Sequence, residues 1–188
     1  MKIAIIKYNA GNVHSVASAL RRLNIEPVIT NDVKTLQSAD KIIFPGVGEA
    51  STAMNYLREK KLDQLIPELK QPFLGICLGL QLMFESSAEN DSTCLGIFKG
   101  KVKKFNENLK IPHMGWNDFV AVKSPLFSGI SADDYVYFVH SYYAPATENS
   151  IAVTEYGIRF SAAMARDNFF ATQFHPEKSG TVGARILE

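Results

Sequence analysis

One cysteine held between two glycines, where a buried strand runs into a helix, constrains this chain more than any other feature. The stretch is Phe73-Leu74-Gly75-Ile76-Cys77-Leu78-Gly79-Leu80-Gln81. Residues 72–76 form a short apolar run of strand length. Leu78, Leu82 and Met83 then open an apolar pattern at helical spacing. A strand that turns sharply into a helix at Gly-x-Cys-x-Gly is the thiol version of a nucleophile elbow. The glycines let the backbone turn without a clash between Cβ and carbonyl. Such a turn holds its side chain away from the sheet, and the adjoining helix N-terminus favours thiolate over thiol. On this pattern alone, a buried core cysteine in a Gly-rich turn reads equally well.

The chain before the elbow builds a sheet behind it. Ile3–Ile6 is an apolar strand, and Tyr8-Asn9-Ala10-Gly11-Asn12 is a turn. Asn12 is placed to cap a helix carrying Val16, Ala19, Leu20 and Leu23. Residues 27–29 form a second strand, and Lys41–Phe44 a third that stops at Pro45-Gly46-Val47-Gly48. Helical spacing resumes through Met54, Leu57, Leu62 and Leu65. Short apolar strands alternating with helices predict an α/β fold, with a mostly parallel central sheet and helices on both faces. Sites in such sheets form at the carboxyl ends of strands, where both Pro45–Gly48 and Cys77 lie. After Ser86, short runs at 102–105, 136–139, 151–154, 162–166 and 169–174 are separated by polar turns. They predict a smaller antiparallel strand region in the second half. Asp167-Asn168 suits a tight hairpin turn, and residues 181–188 a short helix.

A length of 188 residues suits a single domain spanning 1–188. A net charge of +1 argues against a nucleic-acid binder. No apolar run approaches the roughly 20 residues of a membrane span. The first strand meets Lys7 too early for a signal peptide. Cys77 and Cys94 make no disulfide framework, so a reducing cytoplasm is expected, with Cys77 free to react.

A cysteine nucleophile needs a base, and there are four histidines: His14, His113, His140 and His175. His175 stands out in Gln173-Phe174-His175-Pro176-Glu177, after an apolar strand. On an extended backbone, residues i and i+2 point to the same side, so Glu177 reaches the His175 imidazole and orients it. A strand end with a surface His and Glu is the plainer reading of the pentapeptide alone. Alongside the elbow cysteine, a Cys-His-Glu triad is the better one. His14 reads as a surface residue. His113, in a loop beside Met114 and Trp116, reads as part of a partner surface. His140 reads as the locally hydrogen-bonded end of an aromatic strand. Oxyanion donors are expected from the Leu78 N–H and from Gly48.

The motifs Pro45–Gly48, Gly75–Gln81 and Phe174-His175-Pro176-Glu177-Lys178-Ser179, in that order, resemble the class I glutamine amidotransferases. Pro112-His113-Met114-Gly115-Trp116-Asn117 and Tyr137-Phe138-Val139-His140-Ser141-Tyr142 narrow the resemblance to the glutaminase subunits of imidazole glycerol phosphate synthases, in histidine biosynthesis. It extends over essentially the whole chain, from Asn9-Ala10-Gly11-Asn12 onward. One departure is Lys7, where an acidic residue is frequent in the family. The resemblance implies that Cys77 attacks the side-chain amide of glutamine, with His175 as the proton carrier and Glu177 orienting it. It implies Leu78 and, after a rearrangement, Gly48 as oxyanion donors, and Gly46, Gln81, Ser141 and Tyr142 as residues that hold glutamine. It implies a heterodimer in which ammonia passes to a (β/α)₈ cyclase subunit, contacted through Asn12, Met114, Trp116, Tyr137 and Lys178. No metal or organic cofactor is implied. The competing readings are another cysteine amidotransferase or peptidase-like hydrolase of similar architecture, and a non-catalytic relative that only binds a partner.

Overall fold

The computed structural model describes residues 1–8, 12–106 and 108–188. The turn expected at Asn9, Ala10 and Gly11 lies outside the described residues. An eight-stranded sheet runs in the order Val28–Thr30, Ile3–Ile6, Lys41–Phe44, Phe73–Ile76, Phe169–Thr172, Arg159–Arg166, Ser150–Glu155, Ala121–Val122. The first five strands are mutually parallel, and the last three run antiparallel to their neighbours. The expected antiparallel region of the second half is present, and much of it extends the central sheet. Two smaller sheets complete the second half, the ribbon of Val136–His140 with His113–Asn117 and a four-stranded sheet around Phe98–Lys104.

Strand alternation sorts the core into layers. Ile3 and Ile5 face the helix Val13–Arg22 and meet Val16 and Leu20. Ala4 and Ile6 face the opposite layer, with Phe44, Met54 and Leu57. A third cluster, rich in phenylalanine (Phe105, Phe138, Phe160, Phe174), fills the second half. The helical run expected through Met54 and Leu65 is broken. Ala50–Glu59 ends before Lys61, which takes φ 56°, and a new turn starts at Leu62–Leu65. The short helix Val33–Gln37 has only Leu36 buried, too little apolar pattern to stand out in the sequence; Asp32 caps it through the Thr35 N–H.

Asp167 and Asn168 make the hairpin turn their composition suggests, with Arg166 paired to Phe169 and Asp167 at φ 54°. The Asn168 side chain donates to the Leu69 and Gln71 carbonyls, which pins the hairpin beside the start of Phe73–Ile76. The two strands then run parallel in register to Thr172 opposite Ile76. Among the described residues no helix is long and apolar enough to cross a membrane.

Close backbone approach explains the glycines around the elbow. A Cβ on Gly79 would lie 2.3 Å from the Phe44 carbonyl oxygen, and one on Gly46 would lie 2.6 Å from the Gly79 nitrogen. The ends of two neighbouring strands are therefore clasped glycine to glycine. Gly79→Ala forces backbone apart, a cost of about 1–3 kcal/mol by analogy with overpacked cores. Thermal unfolding should show a melting temperature lowered by several degrees; an unchanged value would contradict the clasp.

Candidate active site

Cys77 sits at the strand-to-helix junction between Phe73–Ile76 and Leu78–Leu82, with φ 51° and ψ −103°. A non-glycine residue there carries backbone strain, which the surrounding structure must hold in place. Its N–H is tied to the Thr172 carbonyl at 2.7 Å. The thiol donates to the Val139 carbonyl at 3.8 Å, and the Gln173 side-chain amide donates to the sulfur at 3.7 Å. The elbow reading of Gly-x-Cys-x-Gly therefore holds geometrically.

His175 and Glu177 follow Phe169–Thr172, the strand beside the elbow strand. His175 Nδ1 lies 2.8 Å from Glu177 Oε1, and both side chains are inaccessible to solvent. A carboxylate only accepts, so Nδ1 directs a proton at Glu177 and Nε2 is the ring nitrogen that remains for the sulfur. Nε2 is buried without a hydrogen-bond partner, beside the Cys77 sulfur. Burial alone would lower the His175 imidazole; Cys77 and Glu177 outweigh it and push it up to about 10. The pair expected from i, i+2 spacing is thus in contact, although Pro176–Lys178 is one 3₁₀ turn rather than extended chain.

A cleft of about 290 Å³ opens onto Cys77, lined by Val47, Gly48, Leu78, Gln81, Glu89, Ser141 and Tyr142 among others. Gly46 is buried behind it. Its carbonyl accepts the Leu78 N–H at 3.4 Å, so the expected oxyanion donor is occupied in this arrangement. Gly48 has φ 129°, in the region that favours glycine. The Gln81 side chain donates to the Tyr142 carbonyl at 2.8 Å, bracing the cleft wall. Among the described residues, no group of three or more His, Cys, Asp or Glu side chains is arranged to hold a metal. A second cavity of about 220 Å³ lies where Ile186 and Leu187 meet the sheet, with mostly aliphatic walls.

Two sequence readings are corrected here. Asn12 precedes the helix but does not cap it; its side-chain amide donates to Glu177 Oε1 instead. His113 is not on a surface loop. It lies buried on strand His113–Asn117, stacked on Tyr156 and Phe138, with Nδ1 3.1 Å from His140 Nε2. His140 is hydrogen-bonded locally, as expected, from Nδ1 to the Tyr142 carbonyl at 2.8 Å, and His14 is exposed. Met114 and Trp116 are 61% and 55% exposed, Trp116 packs edge-on to Tyr137, and the Lys178 ammonium lies 5.9 Å from the Tyr137 ring centre. Those four side chains form one open patch. Sequence reasoning missed Glu89, a half-buried carboxylate on the cleft whose Oε2 accepts the Ala50 N–H at 2.8 Å. Burial raises it above the usual carboxylate range. No local motif marks it, because the loop that carries it reaches the cleft only in the folded chain.

Against known proteins, the family model "Glutamine amidotransferase class-I" matches residues 4–188. The chain is 56% identical to the imidazole glycerol phosphate synthase subunit HisH of Bacteroides fragilis, over 100% of this chain and 97% of that protein. It is 46% identical to the subunit of the same name from Photorhabdus laumondii, over 100% and 98%. Among solved structures, PurLQS from Thermotoga maritima matches with a TM-score of 0.74 at 19% identity, over 99% of this chain and 95% of that one. The glutaminase domain of Trypanosoma brucei CTPS, with bound acivicin, matches at 0.67 and 18%, over 100% and 92%. At these identities the structural matches speak for the fold alone.

The buried histidine pair makes the fold acid-sensitive. Burial pushes His113 down to about 4 and His140 down to about 3, the latter despite its bond to Tyr142. Unfolded histidines titrate near 6.5, so below that pH the unfolded chain binds protons that the fold refuses. This contribution to stability is complete above pH ~6.5 and is lost as pH falls through about 4 and toward about 3. The melting temperature should drop across that window. His113→Gln should start lower at neutral pH and fall less steeply; an equal slope would contradict the assignment.

Proposed function

This chain belongs to the class I glutamine amidotransferases, and from that premise we propose that it is the glutaminase subunit of an imidazole glycerol phosphate synthase. The observation that carries the reading is the meeting of Cys77, His175 and Glu177 at the ends of two paired strands, with Cys77 on the wall of one cleft. The full-length likeness to HisH subunits supports the choice of pathway. Residues 1–188 act as one amidotransferase domain. The subunit works in the cytoplasm.

Glutamine enters the cleft along Gly46, Gln81, Ser141 and Tyr142. Glu89, a carboxylate on the same wall, suits the substrate's ammonium group. The Cys77 thiol gives its proton to His175 Nε2, and the sulfur attacks the carboxamide carbon. The oxyanion that forms needs N–H donors. Leu78 supplies one when the Gly46 carbonyl releases it, and Gly48 supplies a second once its peptide turns toward the cleft. His175 protonates the departing ammonia, leaving a thioester on Cys77. Water, deprotonated by His175, then cleaves the thioester to glutamate. Glu177 holds the imidazole tautomer throughout. Cys77→Ala should abolish glutamate formation and His175→Ala nearly so. Glu177→Gln should be milder, because orientation is lost rather than chemistry. Glutamate release assayed with the partner present checks this, and turnover retained by Cys77→Ala would sink the triad.

The ammonia passes to a cyclase subunit, a (β/α)₈ barrel, in a heterodimer; the cyclase makes imidazole glycerol phosphate and an aminoimidazole carboxamide ribotide. Asn12, Met114, Trp116, Tyr137 and Lys178 form the partner face. Exposed aromatics with an adjacent cation are the kind of residues that anchor interfaces. The occupied Leu78 N–H favours a resting state in the lone chain. A missing oxyanion donor costs about 3–4 kcal/mol, on the order of a hundred- to a thousandfold in rate. Glutamine turnover should therefore rise by about that factor when the cyclase and its nucleotide ligand are added. Trp116→Ala and Lys178→Ala should weaken complex formation and blunt the rise. Full turnover by the lone chain, or two variants that assemble and transfer ammonia normally, would contradict the reading.

A further inference from the structure

One backbone carbonyl determines how two buried amides are oriented beneath the nucleophile. The Tyr142 carbonyl can only accept a hydrogen bond. The Gln81 atom 2.8 Å from it is therefore the side-chain nitrogen. That nitrogen also lies 3.3 Å from the Gln173 side chain, so the Gln173 atom facing it is the oxygen. The far end of Gln173 is then its NH₂ group, 3.7 Å from the Cys77 sulfur. Turning Gln173 over would oppose two NH₂ groups and leave an oxygen against the sulfur. The network thus fixes the amide assignment. Gln173 is wholly buried, between the elbow strand's nucleophile and the strand end that leads to His175.

We propose that Gln173 is a further catalytic residue: its amide N–H stabilises the Cys77 sulfur as a thiolate, through a contact made before substrate binds. The inference rests on the reading of Cys77 as the nucleophile. In the resting chain the thiol proton is directed at the Val139 carbonyl, 3.8 Å away. Once that proton moves to His175, the sulfur loses this partner and faces the negative end of the carbonyl dipole. Val139 then opposes the thiolate, and Gln173 is the side-chain donor already in contact with it. A hydrogen bond to a charged group is stronger than one to a neutral group, and more so in a site closed to water. Gln173 therefore favours the reactive state over the resting one. Gln81 holds its orientation from the cleft wall, so the wall and the nucleophile share one chain of amides.

The test is the pH dependence of Cys77 alkylation by iodoacetamide in the full chain, with Cys94→Ser to leave one thiol, alone and with the cyclase subunit. Gln173→Met keeps the bulk and removes the donor. Gln173→Glu keeps the shape and replaces the donor with an acceptor. In both, alkylation at neutral pH should slow by about tenfold or more, with its midpoint moved to higher pH. The maximal glutamine turnover should fall with it, and the Michaelis constant should change less. A second measurement needs no change at Gln173. Its side-chain amide resonances, followed by NMR in the parent chain, should shift with the same midpoint as alkylation and lose that dependence in Cys77→Ala. Unchanged alkylation midpoints in folded variants, or amide resonances blind to Cys77, would overturn the proposal. Glutamate formation surviving in Cys77→Ala would instead overturn the nucleophile reading beneath it.

Discussion

The 2.7 Å bond from the Cys77 N–H to the Thr172 carbonyl joins two halves of the chain at the point where chemistry is possible. Everything around the cleft depends on it. It continues the parallel ladder of Phe73–Ile76 with Phe169–Thr172 by one residue past the last strand pair. The elbow strand and the histidine strand therefore end at the same height. Gly46 and Gly79 allow the neighbouring strand end to close on the other side. The Tyr8 hydroxyl, bonded to the Pro45 carbonyl at 2.6 Å, holds that closure from beneath. A parallel pairing between residues almost a hundred apart is slow to form and costs loop entropy. It is stable here because both strands are buried in the sheet's centre.

Around this joint the interior is unusually polar. Gln81, Gln173, His113, His140, His175 and Glu177 are all buried. Most of them satisfy one another. His113, His140, Gln81 and Gln173 form a chain converging on the Tyr142 carbonyl. Buried polar groups left unpaired are costly, so a converging network specifies one arrangement of the wall. The exceptions are informative: His175 Nε2 and Glu177 Oε2 are buried and unpaired. An imidazole nitrogen buried beside a sulfur, with no other partner, is placed to exchange a proton with that sulfur alone.

The parts of the site legible in the sequence were those whose chemistry is local. Gly-x-Cys-x-Gly announces a turn because only small residues fit it, and His175 with Glu177 are two residues apart. Layer order followed from strand and helix periodicity. The extension of the sheet by Arg159–Arg166 and Ser150–Glu155 did not, because antiparallel strands carry the same alternation whether they join one sheet or start another. Asn12 was misread because Asn before an apolar helix is the usual sign of a cap, and its actual partner, Glu177, is 165 residues away. His113 looked exposed because its neighbours Met114 and Trp116 are. On a strand, though, alternate residues face opposite ways, and the same alternation that exposes those two buries His113.

That alternation has a mechanical consequence in the paired strand Val136–His140. Its outward residue Tyr137 belongs to the exposed patch, while the Tyr137 carbonyl accepts the His175 N–H at 2.9 Å. The Tyr137 N–H in turn donates to Ser179 Oγ, whose own proton goes to the His175 carbonyl at 2.7 Å. Two residues on, the Val139 carbonyl accepts the Cys77 thiol, and His140 anchors the Tyr142 wall. One five-residue strand thus carries surface side chains on one face and supplies backbone contacts to His175 and Cys77 along its length. Spatial connection alone is not coupling. It does set the distance over which coupling must act: any shift of Tyr137 along the strand direction reaches His175 through a single hydrogen bond, with no intervening side chain to absorb it.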